Sequence, residues 1–444
     1  MLRLHDSAIG EVRPLDLREP GKVSMYVCGP TVYGPPHIGH GRFSLVFDVL
    51  RRYLIWSGFD VTYVSNVTDV DDNIINRANE EGRSCDEVVA DYEALWYRAM
   101  DAIGVQRPDH DPHATAYIER MVELIERLVE AGFAYDTPGG VYLRAEKVPD
   151  YGLLARQSLD SLRSGARVDV GEHKESPVDF VLWKPSKPGE PRWPSPWGDG
   201  RPGWHTECVV MSLDLLGDDF DIHGGGQDLR FPHHENERAQ AVALGRRFVR
   251  HWVHNGFVEV SGEKMSKSLG NFTDLLELVE WGDPRAYRLL VLQSHYRAPI
   301  EVSKDTVAAA GKALENLDRF AERFAAVTGQ AEPDAGSLDV FRERMDDDLD
   351  TPAATAALFD AVRRANADGD EAAAAAAFEM ARAVGLVLRT EAVEVSEEAL
   401  ALAAQRDEAR AARDYATSDA LRSQLQAMGY EVADTPDGTK LRRK

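Results

Sequence analysis

The stretch from Lys22 to Ser65 restricts the fold of this chain more than any other. "KVSMYVCG" (Lys22–Gly29) alternates in hydropathy and breaks on Gly29-Pro30, which predicts a strand ending in a loop. "FSLVFDVLRRYLIWSG" (Phe43–Gly58) spaces its apolar residues as a helix does and stops at a glycine. "DVTYVSNVTDVDD" (Asp60–Asp72) is β-branched and predicts a second strand running into an acidic loop. Strand, glycine-rich turn, helix, strand is the opening of a parallel α/β sheet, a Rossmann-like arrangement.

The pattern resumes at "DFDIHGGGQD" (Asp219–Asp228), again an apolar strand entering glycines, followed by a helix in "ERAQAVALGRRF" and a strand in "WVHNGFVEV". Residues 137–203 differ in character: they are rich in Pro, Gly and Trp. Trp183, Trp193 and Trp197 argue for an insertion of short strands and ordered loops, since a linker would not carry them. From about residue 303 the chain is rich in Ala, Arg and Glu and predicts successive helices, with a helical pair and a short strand-like tail at the end. At 444 residues the chain is longer than one domain usually is. No run of about 18 apolar residues occurs, so no membrane span is expected. The first residues lack an apolar core of the secretory kind, so no signal peptide is expected. Three cysteines, far apart, argue against a disulfide framework and for a reducing cytoplasm. The formal charge of −24 speaks against a generally basic nucleic-acid binder but leaves a local basic face open.

Two histidines, His37 and His40, lie on the Gly/Pro turn "CGPTVYGPPHIGHGR". Taken alone they are open to reading as a metal pair or as two surface imidazoles. Their position favours another use, because a helix opening at the mouth of an α/β sheet attracts phosphate and imidazole N–H groups stabilise charge there. "EKMSKSLGN" (Glu263–Asn271) alone is a polar loop with two lysines. Together, a complete HIGH turn and a complete KMSKS segment in this order resemble the class I aminoacyl-tRNA synthetases. The resemblance implies that His37, His40, Lys264 and Lys267 act on the α-phosphate of ATP during amino-acid activation, a displacement that relies on positioning and electrostatics.

Cys28 and Cys208 form no local knuckle, and a free cysteine is usually a small buried hydrophobe. However, "FPHHENERAQ" places His233 and Glu237 on one helical face, and two thiolates, an imidazole and a carboxylate would make a zinc set. The set resembles that of the cysteinyl-tRNA synthetases, as do "MYVCGPTVY", "NVTDVDDNI", "GRPGWHTEC", "DIHGGGQDLRFPHHENE", "KMSKSLGNF" and the C-terminal "DYATSDALRSQLQAMGYEVADTPDGTKLRR". The resemblance implies one zinc per chain on Cys28, Cys208, His233 and Glu237. Zinc prefers a soft thiolate to a hydroxyl, whereas an apolar pocket separates small groups only about 10–200-fold.

The same resemblance implies substrate or ATP contacts at Gly29, Thr31, Thr68, Trp204, Gly224, Gly226 and Asp228. Read without it, Trp204 is equally a core residue and the glycines a turn. It implies ATP with Mg2+, L-cysteine and tRNA(Cys) as partners, no membrane partner, and a cytoplasmic monomer. The expected organisation is an α/β, Rossmann-like catalytic domain (1–104 and 204–255), a connective insertion (105–203), a KMSKS and stem-contact region (256–302), an α-helical bundle (303–395) and a small anticodon-binding domain (396–444). One departure stands out: the family usually has Tyr-Asp before the HIGH turn, and this chain has Tyr33-Gly34. Rival readings are a mycothiol cysteine ligase, which passes cysteine to an amino sugar, and a non-catalytic tRNA binder. A zinc hydrolase fails because H-E-x-x-H would need histidine where Arg238 stands.

Overall fold

The computed structural model describes residues 1–165, 173–260, 263–264, 273–327, 329–390, 396–435 and 438–443. In chain order the elements begin β1 (Arg3–Asp6), β2 (Glu11–Pro14), β3 (Lys22–Val27), α1 (Ile38–Trp56), β4 (Asp60–Ser65), α2 (Asp72–Glu81), α3 (Cys85–Ala102) and α4 (Ile118–Glu130). They continue as β5 (Ala134–Thr137), β6 (Gly140–Leu143), α5 (Leu159–Gly165), β7 (Phe180–Pro185), β8 (Gly200–Pro202), α6 (Trp204–Leu216), β9 (Phe220–Gly226), α7 (Glu235–Ala243) and β10 (Val249–Asn255). After these come β11 (Val258–Val260), β12 (Glu263–Lys264), α8 (Leu275–Val279), α9 (Arg285–Leu292), β13 (Ile300–Glu301), α10 (Lys304–Arg323), α11 (Ala335–Asp346), α12 (Thr351–Asp368) and α13 (Glu371–Ala383). The last are α14 (Glu397–Ala411), α15 (Tyr415–Ala427), β14 (Tyr430–Thr435) and β15 (Gly438–Arg443).

The central sheet has the order β10-β9-β3-β4 and is parallel throughout. From β3 the chain steps one way to β4, and from β9 it steps the other way to β10. The strand order therefore reverses between β3 and β9, and a crevice forms at their carboxyl ends, where ligands bind in open α/β sheets. Register places Val27 opposite Gly224 and Asn255 opposite Gly226. Cys28, Asn66 and Gly226 thus arrive at one edge. α1 covers the sheet with Leu45, Phe47, Leu50 and Leu54, all buried, at the spacing its sequence predicts.

The insertion carries the antiparallel sheet β5-β6-β7-β8. Trp183 is buried in the same apolar cluster as Tyr26, Phe220 and Met211, and Trp193 and Trp197 pack against that cluster, which accounts for tryptophans in a Pro/Gly-rich stretch. The chain clusters into two compact units, one of residues 1–315 and 332–387, the other of 316–331 and 388–444. The division runs through the stretch 303–395 expected as one bundle. In the first unit the alanine run makes α13, whose Ala373, Ala374, Ala376 and Ala377 are buried completely. The second unit has its own small core of Ala399, Ala403, Leu425, Tyr430 and Val432, and the predicted tail is the hairpin β14–β15. Among the described residues no helix is long and apolar enough to cross a membrane.

Candidate active site and metal centre

At the crevice lies a cavity of about 430 Å3 whose lining includes Cys28, Gly29, Thr31, His37, His40, Trp204, Gly226 and Asp228. Eight of the residues singled out from sequence therefore share one space. Asp71, Asn73 and the run Asn255–Val258 also line it. Asp71 caps α2, accepting from the Asn73 amide at 2.8 Å.

The two HIGH imidazoles cap α1 reciprocally. His37 Nδ1 accepts from the His40 amide at 3.3 Å, and His40 Nδ1 accepts from the His37 amide at 3.2 Å. Their rings stack with centroids 3.6 Å apart. Because both Nδ1 atoms accept, both neutral rings carry their proton on Nε2. The motif thus fixes the tautomer of each imidazole as well as its place.

Beside this cavity, Cys28, Cys208, His233 and Glu237 bring four donor atoms within 4.8 Å of one another, and all four residues are buried. Cys28 follows β3, Cys208 lies in α6, His233 in the π-helical turn Arg230–His234, and Glu237 in the first turn of α7. Cys28 Sγ is 3.6 Å from Cys208 Sγ and 3.3 Å from Glu237 Oε1. His233 Nε2 stands 2.9 Å from Glu237 Oε1 yet makes no properly directed hydrogen bond. Its Nδ1 meets His205 Nδ1 at 2.9 Å. That is the arrangement of a metal-binding imidazole whose other nitrogen is held from behind. Two sulfurs, one imidazole and one carboxylate suit a tetrahedral site of the zinc type.

Packed this closely, the four groups shift one another strongly. Burial pushes the Cys28 thiol up, and the neighbouring Cys208 and Glu237 push it further. Burial also acts against the Cys208 thiolate, but the hydrogen bond from Cys28 and the His233 imidazole beside it outweigh it and bring Cys208 down to about 6. Burial alone would lower His233; the Glu237 carboxylate and Cys208 raise it to about 10. Glu237 is held well below the usual carboxylate range despite its burial, by His223 and His233.

Sequence reasoning missed the imidazoles behind this cluster. His223 Nε2 lies 2.7 Å from Glu237 Oε2, and His234 Nδ1 lies 2.8 Å from His254 Nε2, whose Nδ1 reaches Ser7 Oγ at 2.8 Å. Burial keeps His205, His234 and His254 neutral. Cys28, His223, His234 and Glu237 make a second, overlapping donor set. The signal available was "DIHGGG", where a histidine interrupts an otherwise apolar strand.

Two expected contacts sit elsewhere. Gly224 does not line the cavity: a Cβ there would lie 2.2 Å from the Phe47 ring, so this glycine lets α1 pack on the sheet. Thr68 is buried behind the wall, donating to Glu207 Oε2 at 3.0 Å and accepting from Asn66 Nδ2 at 3.2 Å. Lys267 and the side chain of Lys264 lie outside the described residues. At the departure from the family pattern, a Cβ on Gly34 would be 3.7 Å from the Arg77 guanidinium. Arg77 instead donates to the Tyr33 carbonyl at 3.1 Å and lies 3.7 Å from Glu81.

The crevice, the capped HIGH helix and the insertion define the catalytic domain of a class I aminoacyl-tRNA synthetase. The family model described as tRNA synthetases class I (C) catalytic domain matches residues 14–312, and the DALR domain model matches residues 340–390. The chain is 46% identical to the cysteine–tRNA ligase of Halorhodospira halophila over the full length of both, and 45% identical to that of Trichlorobacter lovleyi over 99% of each. It belongs to the cysteine–tRNA ligase family. In fold it is similar to the methionyl-tRNA synthetase of Mycobacterium tuberculosis in complex with methionyl-adenylate, with a TM-score of 0.59, 16% identity, and coverage of 82% of this chain and 90% of that one.

Proposed function

We propose that this chain activates L-cysteine with ATP and transfers it to the 3′ end of tRNA(Cys). The observation that carries this reading is the placing of a buried set of two cysteines, a histidine and a glutamate directly beside a cavity whose wall bears both HIGH imidazoles, with Cys28 belonging to both. Cys28, Cys208, His233 and Glu237 would hold one zinc ion, which when bound favours a thiolate ligand over a hydroxyl and so favours cysteine over serine. His205 and His223 orient His233 and Glu237 for that role.

Trp204, whose ring centroid is 4.1 Å from that of His233, would close the cysteine side of the cavity, and Asp228 offers a carboxylate for the amino group. On the nucleotide side, His37 and His40 present Nε2–H donors to the α-phosphate. A cysteine carboxylate oxygen forms a bond to the α-phosphorus, and the bond to the bridging oxygen breaks as pyrophosphate leaves with its Mg2+. Lys264 and Lys267 take the growing negative charge, a stabilisation matched to the transition state. The family's second step then moves the cysteinyl group from adenylate to a ribose hydroxyl of the tRNA. Residues 396–444 take the anticodon end.

The test is cysteine-dependent ATP–pyrophosphate exchange, followed by charging of tRNA(Cys) alongside glucosaminyl-inositol as an alternative acceptor. Exchange with cysteine and transfer to tRNA are expected; transfer to the amino sugar instead would select the ligase reading.

A further inference from the structure

Arg42 follows the HIGH turn by two residues and is buried at 1% exposure. Among the described residues no carboxylate pairs with it. Its partners are backbone carbonyls of two separate segments. Nη1 donates to Phe257 O at 2.5 Å, and Nη2 donates to Tyr296 O at 3.2 Å, to His295 O at 3.4 Å and to Ala298 O. A buried guanidinium without a counter-charge is unfavourable unless fixed dipoles replace its water. Burial brings Arg42 down only to about 10, so it stays a cation at neutral pH.

Further hydrogen bonds anchor the carbonyl cage. Tyr296 Oη donates to Asp348 Oδ1 at 2.7 Å and Arg297 Nε to Asp348 Oδ2 at 2.8 Å. Asp348 is itself fixed in a left-handed turn between α11 and α12, with φ of 59°. The Gly256 amide donates to Tyr296 O at 2.8 Å, and a Cβ on Gly256 would meet the carbonyls of Arg297 and Ala298 at 2.6 Å each. Asn255–Val258 form one wall of the cavity, and the helix carrying His37 and His40 forms another. One guanidinium ties the two together. The same segment continues into the pair β11–β12, where Lys264 stands.

We propose that Arg42 is a positioning residue for the nucleotide: by binding carbonyls of Phe257 and of residues 295–298 it sets the distance between the HIGH helix and the Asn255–Val258 wall. Lysine cannot replace it, because a single ammonium does not span two segments as a planar fork does. The metal set stands on the end of β3, on α6 and on the His233–Glu237 turn, and Arg42's hydrogen bonds go instead to Phe257 and to residues 295–298. Loss of Arg42 therefore weakens ATP binding and leaves cysteine binding alone. This inference rests on reading the cavity as the ATP site.

The experiment measures cysteine-dependent ATP–pyrophosphate exchange on full-length, metal-loaded protein, with KM for ATP and for cysteine determined separately. Wild type, Arg42→Lys, Gly256→Ala and Tyr296→Phe are compared, with urea midpoints as a check on folding. The second variant strains the same wall from its other side while keeping the buried cation; because Gly256 itself lines the cavity, Tyr296→Phe, which frees the carbonyl cage from Asp348, decides if the first does not fold. The expected result is a rise of about tenfold or more in KM for ATP, the scale of a sub-ångström misplacement, with KM for cysteine within about twofold. An unchanged KM for ATP in a folded variant, or equal rises in both constants, overturns the inference while leaving the ligase reading intact. Absence of exchange in the wild type overturns that reading, and this inference with it.

Discussion

The sulfurs of Cys28 and Cys208, 180 positions apart in the chain, stand 3.6 Å from each other. Local spacing cannot do this. The parallel sheet and its covering helix bring them together: β3 runs beside β9, and α6 packs against β3. Both thiols then meet His233 and Glu237, and residues scattered in the sequence become one buried cluster of donor atoms.

The first expected outcome concerns metal. Purified protein carries one zinc per chain by elemental analysis. Cys208→Ala loses it, because three remaining donors leave a coordination position unfilled. Zinc-free wild-type protein, or full retention in Cys208→Ala, contradicts the assignment.

A second concerns the reciprocal cap. In His40→Asn the shorter side chain keeps an acceptor near the position of Nδ1 but loses the Nε2–H. Thermal stability should stay near that of the wild type, while adenylate formation slows by about 10²–10³, the scale of removing one preorganised donor. Single-turnover activation beside a thermal melt reads both quantities. Unchanged activation would mean His40 serves only to start the helix.

Third, Asp72 contributes to the acid response, because it pairs with Lys184 at 2.6 Å and with Arg201 of the insertion. Burial acts to raise this carboxyl, but the hydrogen bond and charge of Lys184, with Arg201, outweigh it and leave it lowered. A carboxyl lowered on folding stabilises above its unfolded pKa, near 4. That stabilisation is lost as pH falls through the folded value. Asp72→Asn should therefore have a lower urea midpoint than wild type at pH 7, with the gap closing towards pH 3. A gap that widens with acid gives the opposite sign and contradicts the pairing.

Fourth, removal of residues 396–444 should leave cysteine-dependent exchange largely intact and cripple tRNA charging. These residues contribute Ala399, Ala403, Leu425, Tyr430 and Val432 to a small core of their own. Charging equal to that of the full chain would refute an anticodon role.

The parts of this account legible in the sequence are those whose information is local. The strand–turn–helix order at Lys22–Trp56 is encoded by alternation, Gly/Pro and helical spacing; the strand lies where those signals put it, whereas the helix starts at Ile38, five residues ahead of the apolar spacing that begins at Phe43, with the His37–His40 cap at its start. The capping geometry of His37 and His40 was not legible, since two histidines at that spacing say nothing of which nitrogen accepts. The resemblance puts Gly224 at the ligand, and no local signal separates that role from packing, because a glycine after a strand reads alike whether a nucleotide or Phe47 needs the space. Nothing local marks His223 and His205, because each lies inside a regular element and only the tertiary fold turns them towards Glu237 and His233. Arg42 has no motif at all, since its partners are backbone carbonyls more than 200 positions away.

The most direct test of the central claim is ATP–pyrophosphate exchange on the zinc-loaded full chain with cysteine, serine or alanine as the amino acid. Cysteine should support rapid exchange. Serine and alanine should fall below it by far more than the roughly 10–200-fold an apolar pocket can give, and Cys28→Ser should abolish the distinction. Exchange with serine comparable to that with cysteine, or discrimination that survives removal of the metal, would contradict the account.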